Sequence, residues 1–467
     1  VNGKNLKLKE LNLPSRIAVK NKFMRYAILA LMLTMCVRPV DHRPVTSNPQ
    51  WLHLSMKAIT DRMVHDIFSP PVASRVYAYT AIAAYEALVP FSDSYVTLAG
   101  QIRHLKPLPQ PDTTRDYVPE LCAIQALFKV GRQLIFSEDQ LDTVYQNVLS
   151  AYRKSGITRD VFDRSVEYGN QVGDHILLWA SEDNYNQTRS YPKYSITDNP
   201  AAWKPTPPAY FDAVEPHWTR IRPFVLDSST QFIPPRPTPF STQKDSPFYK
   251  EAMEVYEAVK NLTSEQKEIA SFWDCNPFAM QVHGHVMFGI KKISPGGHWI
   301  NITRTACEKI NADFYRSAEA YACVAIALAD AFISCWDEKY RSILIRPETY
   351  INQYIDEDWT PLLQTPPFPE YTSGHSVIST AAAKILTKIF GDNFSFTDST
   401  EVEFGLPPRH FNSFLHASRE AGISRLYGGI HYRPAIDNGI SQGEKVGEWV
   451  LSHIETRRNV IDLTAHR

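Results

Sequence analysis

Several common signatures are missing from this chain. Its 467 residues carry 49 Lys plus Arg against 50 Asp plus Glu, a formal net charge of -1, and the isoelectric point is about 7.0. A nucleic-acid binder needs a basic surplus, so that class is excluded. The six cysteines, Cys36, Cys122, Cys275, Cys307, Cys323 and Cys335, include no C-x-x-C pair, which argues against a zinc module. A Cys275–Cys307 bridge is left open, while Cys323 and Cys335 fall in an apolar, Ala-rich stretch and read as packed thiols. The apolar run at residues 26–35, YAILALMLTM, is too short to span a bilayer.

Proline, by contrast, is plentiful, with 33 residues. Helical spacing dominates residues 50–180, broken at Ser69-Pro70-Pro71 where one helix ends and another starts. Residues 203–240 are too Pro-dense for helix interior or central strand, and read as an extended crossing over a helical body. We therefore expect an all-α chain with an N-terminal half at 50–240 and a C-terminal half at 241–467. Length allows a sizeable core. His283, His285 and His298 lack nearby Cys or carboxylate partners in sequence, so a metal site there is not expected.

The chemistry concentrates in three blocks: KYRSILIRP at 339–347, FPEYTSGHS at 368–376 and SRLYGGIH at 424–431. A buried tetrahedral oxyanion needs several fixed donors. Arg346 and Arg425 offer planar forks and Lys339 a point charge. Ser373 offers a hydroxyl, and Gly374 allows close backbone approach. The Ala-rich segment that follows is helical, so Ser373 to His375 occupies a helix N-terminus, a natural anion site. His375 and His431 can then bind the central atom or move protons. Any one of these residues alone reads equally well as structural; their joint occurrence in order does not.

Together the blocks resemble the shared signature of vanadium-dependent haloperoxidases and type 2 phosphatidic acid phosphatases. The resemblance implies two packed helical bundles with the site in the C-terminal one. It assigns Lys339, Arg346, Ser373, Gly374 and Arg425 to the oxyanion, vanadate or phosphate. His431 becomes the vanadium ligand or phosphorus nucleophile, and His375 the acid/base. Trp336 and Phe368 resemble the aromatic lining of haloperoxidase pockets, which implies hydrogen peroxide and halide as partners. Asp274 resembles the acidic residue that orients an anion-binding arginine, here Arg425. Thr372 stands where the pattern has proline, and should loosen the turn. Ala435 stands where phosphatases carry Asp, which disfavours that branch. A non-catalytic oxyanion-binding lipoprotein is the third reading.

Lys20, Lys22 and Arg25 precede the short apolar run, and Cys36 follows it. Residues 1–36 thus read as an export signal, ending in a lipoprotein-like box or else a plain secretory signal cleaved nearby, with Met24 as the candidate start. Lipidation of Cys36 would attach the protein to a bacterial membrane on its periplasmic side.

Overall fold

Asp313 accepts from Arg316 N at 2.7 Å and so starts the longest helix, Phe314–Ser342. Its Ala-rich sequence has no polar face, and every residue from Ser317 to Lys339 is buried. Such a helix belongs at the centre of a bundle. The computed structural model describes residues 43–137, 139–283 and 286–458, so the export segment and Cys36 lie outside the described residues. In chain order the longer helices are α1 (Gln50–His65), α2 (Pro70–Leu88), α3 (Pro119–Leu134), α4 (Asp139–Lys154) and α5 (Arg159–Ser181). After the Pro-rich crossing come α6 (Pro247–Lys260), α7 (Ser264–Phe272), α8 (Pro295–Lys309) and α9, the central helix. Then follow α10 (Pro347–Tyr354), α11 (Gly374–Phe390), α12 (Phe414–Tyr427) and α13 (Arg433–His453). Two small antiparallel ribbons, Met280–His283 (β1) with Val286–Gly289 (β2) and Phe396–Asp398 (β3) with Arg409–Phe411 (β4), decorate this all-α body.

One apolar cluster takes residues from Leu52 in α1 through Val450 in α13, so the core crosses the 240/241 boundary drawn from sequence. Helix α9 packs on α2 from the first half and on α11 from the second. The Pro-rich crossing is extended, and Trp203, Trp218 and Phe224 are buried beneath it. Its backbone also does positional work. Trp203 N donates to Ile343 O at 2.8 Å and Ile345 N to Ala201 O at 2.9 Å, which fixes the chain just before Arg346. The N–H groups of Phe224, Val225 and Leu226 donate to the buried carboxylate of Asp330 at 2.7–2.9 Å.

Helix α13 approaches α11 closely because it presents Gly439, Gly443 and Gly447 at four-residue spacing. A Cβ on Gly443 would lie 2.2 Å from Val377 O, and one on Gly439 would lie 3.1 Å from Ser373 O. The N-terminal turn of α11 is therefore held from below. Cys275 and Cys307 are both free, as are Cys323 and Cys335, so the bridge left open by the sequence does not form.

Candidate active site

The N-terminus of α11 anchors the site. Ser373 is its N-cap, accepting from Ser376 N at 3.3 Å, while Ser373 N donates to Ala435 O at 3.0 Å. Gly374 and His375 open the first turn, with a Gly374 Cβ position only 3.7 Å from Trp336. Trp336, Phe368, Gly374, His375, Arg425 and His431 share one cavity, which Cys275, Phe278 and Pro70 also line. Rings of Trp336 and Phe368 sit 5.0 Å apart at 50° and close one wall. Lys339, Arg346 and Ser373 lie immediately behind this lining and are fully buried.

Each cation is tied down by backbone. Lys339 Nζ donates to the carbonyls of Pro369, Glu370 and Thr372 at 3.0, 3.0 and 2.6 Å. It thus shapes the 369–372 loop and acts on the cavity through charge. Arg346 Nε donates to Phe368 O at 2.9 Å, and its Nη1 to Ile430 O at 2.8 Å and to His431 Nε2 at 3.1 Å. Its Nη2 has no partner among the described residues. Arg425 donates to Ser424 Oγ at 2.9 Å and to the carbonyls of Trp273 and Ala270 at 2.7 and 3.4 Å. None of the three forms a salt bridge among the described residues.

The sequence reading missed Glu370. Its Oε1 lies 2.8 Å from His431 Nδ1 and accepts from Tyr432 N at 3.0 Å. A carboxylate there holds the Nδ1–H tautomer and leaves Nε2 with its lone pair toward Arg346. The signal was an acid in an otherwise aromatic and apolar run, five residues before His375. Burial, followed by the charges of Arg346 and Lys339, keeps His431 well below its usual range and therefore neutral. Burial and then Arg425 do the same for His375. His375 is hydrogen-bonded to the Trp273 backbone, and its Nε2 has no partner among the described residues. Burial pushes Glu370 up and Lys339 and Arg346 down, each toward its neutral form. The hydrogen bonds keep Glu370 a carboxylate, because Arg346 donates to His431 Nε2, the ring proton is left on Nδ1, and Oε1 accepts it together with Tyr432 N–H.

Two expectations change. Asp274 pairs with Lys292, while Arg425 takes the carbonyls at the end of α7. Asp274 acts on Arg425 only through charge, because its carboxylate has a nearer cation. Thr372 does not loosen its turn either. Its Oγ1 donates to Gln442 Oε1 at 2.7 Å and its carbonyl receives Lys339, so the hydroxyl provides an anchor that proline lacks.

Three buried cations held by carbonyls and not by carboxylates, with an orphaned guanidinium N–H and an orphaned imidazole nitrogen, fit a tetrahedral oxyanion. This geometry defines a helical oxyanion-binding enzyme with two histidines in one cavity. The second helical-bundle domain of vanadium chloroperoxidases matches residues 319–459. A solved structure described as the first bacterial vanadium-dependent iodoperoxidase is 50% identical, with a TM-score of 0.84, covering 88% of this chain and 98% of that one. The chain belongs to the vanadium-dependent haloperoxidases. Holo and apo structures of a bacterial vanadium-dependent chloroperoxidase share the fold, at 17% and 18% identity with TM-scores of 0.62 and 0.64. Each comparison covers 83% of this chain and 95% of the other. No curated protein matches.

Proposed function

We propose that this protein oxidises a halide with hydrogen peroxide to hypohalous acid, using vanadate held in the cavity described above. The observation that carries the reading is His431, whose Nε2 lone pair faces the buried guanidinium of Arg346 while Glu370 holds Nδ1. His431 Nε2 would bind the vanadium centre. Arg346 Nη2, Arg425 and the Gly374 backbone would donate to its oxygens, and Lys339 would add charge from behind. When bound, vanadate supplies a Lewis acid that activates peroxide without changing oxidation state.

The remaining work falls to this chain's own groups. His375 is neutral with a free Nε2, so it can take a proton from incoming hydrogen peroxide and return it to departing water. Trp336 and Phe368 keep that wall of the cavity apolar, which strengthens the electrostatics inside. The net reaction is halide plus hydrogen peroxide plus one proton giving hypohalous acid plus water.

Glu370 also favours a second activity. A carboxylate on Nδ1 is what a nucleophilic histidine needs, and Glu370 provides it from a different position than Ala435. Phosphatase turnover through a phosphohistidine at His431 is therefore the alternative. Halide oxidation by purified protein, assayed with and without added vanadate, tests the proposal. Hydrolysis of p-nitrophenyl phosphate that vanadate inhibits, with no halide oxidation, would transfer the case to the alternative. Export with lipid attachment at Cys36 completes the proposal, on the basic-then-apolar stretch before that cysteine; an intact mass lacking a lipid on Cys36 would remove that part.

A further inference from the structure

Beside the oxyanion cavity lies a second convergence of ligand-type atoms, built from segments far apart in sequence. Cys275 follows α7, and His298 stands in the first turns of α8. Glu401 lies in the 3-10 turn Thr400–Phe404 that follows β3. Cys275 Sγ is 3.3 Å from His298 Nδ1, and His298 Nδ1 is 3.2 Å from Glu401 Oε1. Cys275 Sγ and Glu401 Oε1 are 3.9 Å apart. All three residues are buried, His298 completely.

These separations can be compared with the edges of a metal polyhedron. Zinc bond lengths of about 2.0–2.3 Å to N, O and S give tetrahedral edges of roughly 3.3–3.7 Å. The two edges to Nδ1, 3.3 and 3.2 Å, lie close to this range, and the Sγ–Oε1 edge of 3.9 Å is longer and would draw in on binding. The other imidazole nitrogen supports the same reading. His298 Nε2 lies 2.7 Å from Asp398 Oδ2, and Asp398 Oδ1 accepts from Thr400 N at 2.9 Å. A carboxylate behind a ligating histidine fixes its tautomer and orientation. The competing arrangement is an imidazolium with no metal. There a single Nδ1–H would face both a thiol and a carboxylate, and the thiol would reach Glu401 only through a long S–H contact of 3.9 Å. A cation at the shared focus would replace these contacts with three direct bonds.

We infer that Cys275, His298 and Glu401 form a buried site for a divalent transition metal, with zinc the best match, oriented by Asp398. The mixed S, N and O donors select a borderline metal over calcium or magnesium. Cys275 also lines the oxyanion cavity, so solvent there can take the fourth position. The site is distinct from the oxyanion cradle and uses none of its residues. Its placement has a structural consequence. The Trp273 indole stacks on His298 at 4.6 Å and 21°, and the Trp273 carbonyl receives Arg425. The metal thus clamps α7, α8 and the β3 turn around the peptide that supports the cradle.

Metal analysis of the full-length protein, purified without chelators, is expected to give one zinc per chain. Cobalt taken up in exchange should show a thiolate-to-cobalt absorption in the near ultraviolet. Cys275→Ala and Glu401→Gln should each lose at least nine-tenths of the zinc, while His431→Ala keeps it. Should Cys275→Ala not fold, a strong chelator applied to the wild-type protein should release the zinc and lower Tm. Protein free of zinc that takes up neither zinc nor cobalt overturns the inference. So does zinc that persists in folded Cys275→Ala and Glu401→Gln, or that disappears in His431→Ala. The zinc readout requires no halide oxidation, so its failure is separable from failure of the vanadate reading.

Discussion

Two buried clusters of cationic side chains in this protein differ in how their charge is answered. In the N-terminal half, Arg75 pairs with Asp183, which also accepts from Tyr79 Oη at 2.9 Å, and Arg222 donates back to Tyr79 Oη at 2.9 Å. There the buried carboxylate meets its cation directly. In the cradle, Lys339, Arg346 and Arg425 rest on carbonyls, while Glu370 faces His431 and Asp274 is taken by Lys292. The first arrangement is complete without a ligand. The second has excess positive charge in a low-dielectric setting, and an oxyanion is the group that corrects it. Burial of charge is therefore not the functional signal; burial without a counter-charge is.

The largest effects should come from the histidines. His431→Ala should abolish vanadate binding and turnover. His375→Ala should keep vanadate binding and lose about 10²–10⁴-fold in turnover; equal loss of binding in both variants would break the division of roles. Next, Asp183→Asn leaves Arg75 unpaired and should cost about 3–5 kcal/mol in urea unfolding, with activity per folded molecule unchanged. Arg346→Met should do the reverse, weakening vanadate binding with little loss of stability. If both variants lost only stability, the contrast would be wrong.

Glu370→Gln should weaken vanadate affinity by roughly 10–100-fold, as loss of a group behind a metal-bound histidine does, read by vanadate titration. A pH series sharpens the comparison further. Burial lowers His53 to about 4, where it sits 2.8 Å from Tyr321 Oη. Its folded value lies below its unfolded value near 6.5, so the unfolded chain binds more protons between pH 4 and 6.5. The contribution of this one group therefore rises with pH across that window, by about 2 kcal/mol from pH 5 upward. His53→Gln should remove that rise; His375 and His431 act in the same direction, whereas the buried carboxyls of Glu86 and Asp330, pushed up to about 7 and about 6, act against it. A slope unchanged in His53→Gln would remove His53 from the account. The smallest effect is expected at Asp274→Asn, which breaks a partly exposed pair with Lys292 and should change vanadate affinity less than about threefold.

The helical character and the cradle residues were legible because their signals are local or ordered. Helix spacing, Ser373 before an Ala-rich run and the three short blocks all sit in contiguous sequence. Glu370 was not legible, since its role depends on the His431 ring, 61 residues away, folding onto it. The Cys275, His298 and Glu401 cluster shares that difficulty: its members are scattered across three segments, so no ligand spacing existed to be read. Asp274 was assigned to Arg425 without sight of Lys292, a nearer claimant from the following loop. Thr372 looked like a weak substitute for proline because its hydroxyl partner, Gln442, lies a helix away.

The absent side chains on α13 have a consequence for how this enzyme tolerates change. With Gly443 seated against Val377 O and Gly439 against Ser373, the two helices touch backbone to backbone, and no flexible side chain lies between them to yield. A methyl added at Gly443 has to push α11 along or aside, and the first residues to feel the shove are those that open that helix. Drift at this seam would be felt in the fit of the two helices and in catalysis together, which makes three residues with no functional groups as exacting as the histidines they support.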